Sequence, residues 1–222
     1  MTIKRNAIVL GATGLVGRKL VELLVNDESF SNIKLIVRRN SGFSHPKIQE
    51  EIVDFNNINS YKSILNGDIL FSCMGTTLKQ AGGKKEQYKV DFTYQYEVAK
   101  AASENRVADY VLVSSASASY KSNFFYTKTK GELEEAIKKL PFIHINIIRP
   151  SVLMGKREQS RAGEIFGANL INFLGKLIPP LKKYRGIKAE EVALALINSQ
   201  KLASDNKLQI YELAEVFELL KN

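Results

Sequence analysis

A single cysteine, Cys73, excludes any disulfide within the chain and fits a reducing compartment. No stretch approaches ~18 consecutive apolar residues, so no membrane-spanning segment is expected. The first apolar run, Ala7-Ile8-Val9-Leu10, is too short for a signal-peptide core and is interrupted by Gly11. These absences together point to the cytoplasm. The only histidines, His45 and His144, stand near a loop proline and in a strand-like run. With no partnering cluster, both read as structural and no metal centre is expected. Runs of like charge are also missing. The formal charge of +9 suits anionic ligands such as dinucleotide phosphates, and would suit nucleic acid or an anionic membrane. The basic residues are dispersed rather than clustered, which argues against a nucleic-acid footprint.

A chain of 222 residues can enclose one sizeable core and is short for two domains, so residues 1–222 are expected to form a single domain. No internal repeat or low-complexity segment interrupts it. Short β-rich runs occur at Ala7–Leu10, Lys34–Arg38, Glu51–Asp54, Ile69–Cys73, Tyr110–Ser114 and Ile143–Ile148. Helical patterns near Val16–Val25, Ser60–Leu65, Tyr88–Glu104 and Thr127–Lys139 separate them. Most strand runs are apolar throughout, as expected when both sheet faces are covered. Strand–helix alternation with short connections predicts an α/β fold, a doubly wound parallel sheet of Rossmann-like type. After Arg149-Pro150 the pattern changes. A glycine-dotted amphipathic stretch from Gly163 to Leu177 ends at Pro179-Pro180, and then come a helix near Ala189–Gln200, a strand near Leu208–Tyr211 and a helix near Ala214–Leu220. Residues 151–222 are therefore expected to form a small C-terminal cap over the substrate cleft. The stretch from Gly163 with Lys182-Lys183 could instead lie on a membrane surface.

Between the first strand and first helix lies Gly11-Ala12-Thr13-Gly14-Leu15-Val16-Gly17. Glycines there allow a tight turn, backbone approach to a pyrophosphate and close helix–strand packing, while the helix N-terminus faces the phosphates. The spacing is GxxGxxG rather than GxGxxG, and its placement is what points to a dinucleotide. The second strand ends in Arg38-Arg39, where an acid would accept a ribose 2′-hydroxyl and select NAD(H). Guanidinium instead matches a 2′-phosphate, which favours NADP(H) as the cofactor. Asp54-Phe55 closes the third strand, where it could hold the adenine amino group.

Tyr-x-x-x-Lys places a phenol and an ammonium one helical turn apart, where the ammonium favours the phenolate. The string occurs three times, as Tyr96…Lys100, Tyr126…Lys130 and Tyr184…Lys188. In a lysine-rich chain with 9 Tyr the string alone decides nothing. Only Tyr126 and Lys130 follow a serine-bearing fifth strand, Val111-Leu112-Val113-Ser114-Ser115, and open the next helix.

These residues resemble an atypical short-chain dehydrogenase/reductase, most similar to its Tat-interacting-protein-like oxidoreductase branch. The resemblance is carried by the glycine loop, Cys73-Met74-Gly75-Thr76-Thr77, Ser114-Ser115, Lys121 to Tyr126 with Lys130-Gly131-Glu132, Arg149-Pro150, and Arg157 to Arg161. It implies a constellation of Ser115, Tyr126 and Lys130, with Ser114 and Ser117 as other registers for the serine. Tyr would act as general acid/base, Ser would hydrogen-bond the substrate oxygen, and Lys would also bind the nicotinamide ribose. The resemblance further places Cys73, Met74, Gly75 and Thr76, and Pro150, Ser151 and Val152, along the cofactor, and matches Asp91 to a position often Asn or Asp. Ser151 stands where many members carry glycine. The expected function is an NADP(H)-dependent oxidoreductase acting on a small-molecule carbonyl or alcohol. The rival is an NADP(H)-binding regulatory or scaffold protein that binds a protein partner. Sugar-nucleotide epimerisation also suits the glycine spacing, but such enzymes carry a larger C-terminal region than 151–222.

Overall fold

The computed structural model describes residues 4–154, 185–202 and 205–221. Seven strands form one parallel sheet: β1 (Arg5–Leu10), β2 (Phe30–Val37), β3 (Ile48–Ile52), β4 (Ile69–Ser72), β5 (Asp109–Val113), β6 (His144–Arg149) and β9 (Leu208–Glu212). Their spatial order is β3-β2-β1-β4-β5-β6-β9, and every pairing is parallel. Helices α1 (Leu15–Asn26), α4 (Tyr94–Glu104), α5 (Phe125–Ile137) and α6 (Ala189–Ser199) cover the two faces. This is the doubly wound α/β architecture the alternation predicted.

The first strand shows why its residues read as a continuous apolar run. Ala7 and Val9 pack with Leu20 and Leu24 of α1 and Val192 and Leu196 of α6. Ile8 and Leu10 face the opposite layer, with Val98 and Ala102 of α4 and Leu133 and Ile137 of α5. Alternate residues of one strand thus enter two different cores, and full burial of each large side chain contributes roughly 1.5–3 kcal/mol. Strand order reverses between β1 and β4, and the crevice outside their carboxyl ends is where this class of sheet takes ligands.

Two helical patterns take different local forms. Residues near Ser60–Leu65 make two 3₁₀ turns, Ile58–Ser60 and Lys62–Ile64. Side chains replace the helical ladder there: Asn105 donates to the carbonyls of Lys62 (2.6 Å) and Leu65 (3.0 Å), and the buried Lys34 ammonium donates to that of Ile64 (2.6 Å). The single helix expected at Tyr88–Glu104 is instead α3 (Lys84–Tyr88), a π-helical turn Lys89–Thr93 and then α4. Such a turn inserts a residue into the helix and commonly marks a functional region. Here it carries Asp91.

The C-terminal stretch expected as a cap contributes to the main domain. Its strand β9 extends the sheet, and α6 packs on α1. A short parallel pair, β7 (Leu153–Met154) with β8 (Ile187–Lys188), joins the chain on either side of 155–184. Helix α2 (Leu78–Ala81) follows β4, and α7 (Ala214–Glu218) follows β9. Arg157 to Arg161, the stretch 163–183 and Tyr184 lie outside the described residues.

Candidate cofactor and active site

The glycine loop sits at the carboxyl ends of β1 and β4. Gly11 has φ +84°, and a Cβ on it would lie 2.6 Å from the Met74 amide nitrogen. A Cβ on Gly17 would lie 2.1 Å from the Gly11 carbonyl oxygen, so α1 can seat on the loop only without a side chain. Gly14 donates to Gly11 (3.0 Å) and is the N-cap of α1, with no capping side chain and no acid in the first turn. The first amides of α1 thus stay available to an anion, which the helix dipole favours. Thr13 and Gly14 are exposed, whereas the Val16 side chain is in the core and Leu15 packs against it. Only the backbone of Val16 could meet a phosphate. A Cβ on Gly14 would have 3.3 Å to the Gly11 carbonyl oxygen, tight but open to small adjustment. Gly14→Val is therefore expected to fold and to bind NADPH at least ~10-fold more weakly, as calorimetry would show. Unchanged affinity would move the phosphate site elsewhere.

A further part of the site lies at the carboxyl ends of β2 and β3. Arg38, Ile52, Val53, Asp54, Phe55, Asn56 and Tyr94 line a cavity of about 460 Å³. The Phe55 and Tyr94 rings stack at 5.4 Å, and the Tyr94 hydroxyl donates to Asn56 (2.9 Å). Asp54 accepts from the Asn56 amide (3.0 Å) and side chain (2.8 Å), both on Oδ1, and these bonds lower its pKa. Its carboxylate is charged and half committed. Arg38 and Arg39 are exposed just beyond β2. Arg18, which the motif reading passed over, lies in the first turn of α1. Its guanidinium donates to the Ser41 carbonyl (3.2 Å) and rests 5.3 Å over the Phe43 ring. It is the third arginine of this end, and its position after Gly17 was the available signal.

At the end of β4, the Cys73 amide donates to the Leu10 carbonyl (2.8 Å). Desolvation pushes the Cys73 thiol up to about 12, which leaves little thiolate at neutral pH. Met74 packs against the α4–α5 core. The buried Asp91 accepts from the Thr76 amide (2.8 Å) and from Gln87 (3.2 Å), and so anchors the Gly75-Thr76 segment to the π-helical turn.

The serine-bearing turn follows β5. Ser114 is buried, and its hydroxyl donates to Glu134 Oε1 at 2.5 Å. Ser115 is half-buried, with its hydroxyl 3.3 Å from the Ala116 carbonyl. Ser117 has φ +61°, and its amide donates to Glu212 (2.8 Å). Helix α5 lies directly against this turn, because a Cβ on Gly131 would come within 2.2 Å of the Ser119 carbonyl carbon. Tyr126 and Lys130 are one turn apart on α5. The Lys130 side chain is buried and its Nζ is 3.4 Å from the Val113 carbonyl oxygen, at the carboxyl end of β5. Tyr96 stacks on Phe92 at 5.9 Å and packs against the core.

Residues after β6 close the other side. The Ala116 amide donates to the Pro150 carbonyl (3.1 Å), and Ile187 donates to that of Val152 (3.0 Å). The Ser151 hydroxyl, standing where glycine is common, donates to the Arg185 carbonyl (2.5 Å). Arg149 makes two bonds to Glu134 (3.0 and 2.5 Å) and one to Glu212 (3.0 Å). Those bonds, Glu134 foremost, raise its pKa further above its ordinary value. Glu134 and Glu212 were not singled out in the sequence. His144 pairs with Asp109 (2.8 Å) at the opposite end of the sheet, and His45 accepts from the Lys47 amide (3.2 Å); both serve the fold. Among the described residues no cluster suited to a metal occurs, and no helix is long and apolar enough to cross a membrane.

Residues 11–169 match the NAD(P)H-binding family. The mitochondrial protein FMP52 of Eremothecium gossypii is 35% identical over 226 aligned positions, covering 97% of each chain. Its counterpart in Emericella nidulans is 33% identical, over 87% of this chain and 86% of that one. Among solved structures, MoeE5 in complex with UDP-glucuronic acid and NAD superposes with a TM-score of 0.69 at 17% identity, over 94% of this chain and 76% of that one. WbmH of Bordetella bronchiseptica in complex with NAD+ gives 0.70 at 14%, over 94% and 75%. These two likenesses concern the fold. The relatives correct the cytoplasmic expectation, since the matched proteins are named as mitochondrial. A lone cysteine and the lack of a signal-peptide core do not separate one reducing compartment from another. With its glycine loop, parallel sheet and relatives in agreement, the chain belongs to the NAD(P)H-binding family, alongside the FMP52 proteins.

Proposed function

We propose that the chain is a mitochondrial NADP(H)-dependent oxidoreductase acting on a carbonyl or alcohol carbon. The observation that carries this reading is the buried Lys130 ammonium at the carboxyl end of β5, one turn from Tyr126 and beside the Ser115 turn. When bound, a nicotinamide cofactor would supply hydride chemistry at the carbonyl or alcohol carbon. The Tyr126 hydroxyl donates its proton to the carbonyl oxygen in reduction and recovers one from solvent. Ser115 donates a hydrogen bond to the same oxygen; the commitment of Ser114 to Glu134 supports this choice of serine. Lys130, one helical turn from Tyr126, would donate to the cofactor ribose. Residues of the glycine loop, with Cys73 to Thr76 and Pro150 to Val152, line the cofactor. The test is NADPH consumption across an aldehyde, ketone and quinone panel. Tight NADPH binding without turnover would make the chain a sensor or scaffold instead.

The preference for NADP(H) rests on the three arginines around the ribose end and on the lack of an acid after β2. Each charge-assisted bond to a 2′-phosphate contributes ~1.5–3 kcal/mol. Arg38→Ala/Arg39→Ala is expected to weaken NADPH binding at least ~10-fold and to leave NADH binding nearly unchanged. Equal affinity of the wild type for both cofactors, measured by calorimetry, would overturn the preference.

A further inference from the structure

Three non-glycine residues among those described have positive φ, and two of them, Ser117 (+61°) and Leu213 (+52°), flank one bridge. Positive φ is strained for a serine and more so for a leucine, and such strain persists only where neighbours hold it. Here the holding groups are visible. Glu212 Oε1 accepts from the Ser117 amide (2.8 Å), and the Arg149 carbonyl accepts from the Leu213 amide (3.2 Å). The Arg149 guanidinium joins Glu212 Oε2 (3.0 Å) to both oxygens of Glu134, and Glu134 in turn accepts from Ser114 (2.5 Å). The turn 114–117 is therefore gripped at both ends, by Glu134 through a hydroxyl and by Glu212 through an amide. One guanidinium ties the two carboxylates together.

We propose that Arg149 and Glu212 are positioning residues, holding the Ser115 turn, with Ser117 at positive φ, from the next two strands of the sheet, β6 and β9. Neither needs to touch the substrate. Glu134 is almost wholly buried and belongs to the fold, while Glu212 is about one-third exposed, so its grip can be removed without opening the core. The proposal rests on the oxidoreductase reading only where it concerns turnover.

The experiment compares the full-length wild type with Glu212→Ala, and with Glu212→Ala plus Ser117→Gly, in the presence of NADPH. Amide hydrogen exchange is read at Ala116 and Ala118, whose acceptors are the carbonyls of Pro150 and Ser115 rather than Glu212. Exchange at both is expected to accelerate ~10-fold or more in Glu212→Ala, with Val9 and Val111 unchanged. On any substrate found, kcat should fall ~10-fold or more, with KM and NADPH affinity within about two-fold of wild type. Adding Ser117→Gly should recover part of kcat, since glycine adopts positive φ unaided. Unchanged exchange at Ala116 and Ala118, or acceleration spread evenly over the sheet, would overturn the proposal. So would a loosened turn with full kcat. In a wild type without turnover the exchange result still decides the positioning role, and only the oxidoreductase reading falls.

Discussion

Tyr126→Phe is expected to lower turnover ~100-fold or more while leaving NADPH affinity and thermal stability nearly unchanged. The substitution removes one hydroxyl from a half-buried ring on α5 and leaves the ring's packing in place. Lys130→Ala should differ in kind, because in this reading its ammonium stands one turn from Tyr126 and also holds the cofactor, so turnover and NADPH binding should fall together. Tyr96→Phe is the control within the described residues: its ring stacks on Phe92 against the core, and the rate should stay within a few-fold of wild type. Tyr184→Phe should behave likewise. Assayed side by side, these variants separate loss of a proton donor from loss of packing. Full activity in Tyr126→Phe would remove the acid from the proposed reaction.

Glu134→Ala is expected to destabilise the protein by ~3–5 kcal/mol, because it leaves the Arg149 guanidinium largely buried and short of its main partner. The side chains of Glu134 and Arg149 are 1% and 17% exposed, so little water can replace the lost bonds. The Ser114 hydroxyl loses its acceptor as well. For a chain of this size the melting temperature should fall by on the order of 10 °C. Glu134→Gln, which keeps the shape and an acceptor for Ser114, should cost less. Glu22→Gln offers the contrast: its pairing with Lys19 joins side chains 48% and 45% exposed, and its loss should leave stability nearly unchanged. Denaturant titration measures all three, and equal losses for Glu134→Ala and Glu22→Gln would refute the account of the buried network.

What could be read along the chain was whatever depends on neighbours in sequence. Ile8-Val9-Leu10 signals a strand covered on both faces because successive side chains enter opposite cores. The three-residue spacing of Gly11, Gly14 and Gly17 is legible in sequence, and a Cβ on Gly17 is blocked by the Gly11 carbonyl within the same short segment, whereas the approach of Cys73-Met74 to Gly11 is made only by the sheet. Tyr126 and Lys130 are paired by the helical repeat alone. Ser-Ser-Ala-Ser carries no such local difference. Ser114 is set apart from Ser115 only by Glu134, 20 residues on, and Ser117 only by Glu212, 95 residues on. Arg149 likewise meets Glu212 across 63 residues, because β9 lies beside β6 in the sheet. The π-helical turn at Lys89–Thr93 was hidden for a related reason: the Asp91 carbonyl accepts from Gln95, and its carboxylate accepts from the Thr76 amide, 15 residues away in sequence. Local pattern could determine which segments pair with the sheet and where phosphate can approach. Which polar side chains are consumed in holding the fold, and which remain for chemistry, was decided only when the strands were brought side by side, because burial and partner geometry are properties of the packed chain.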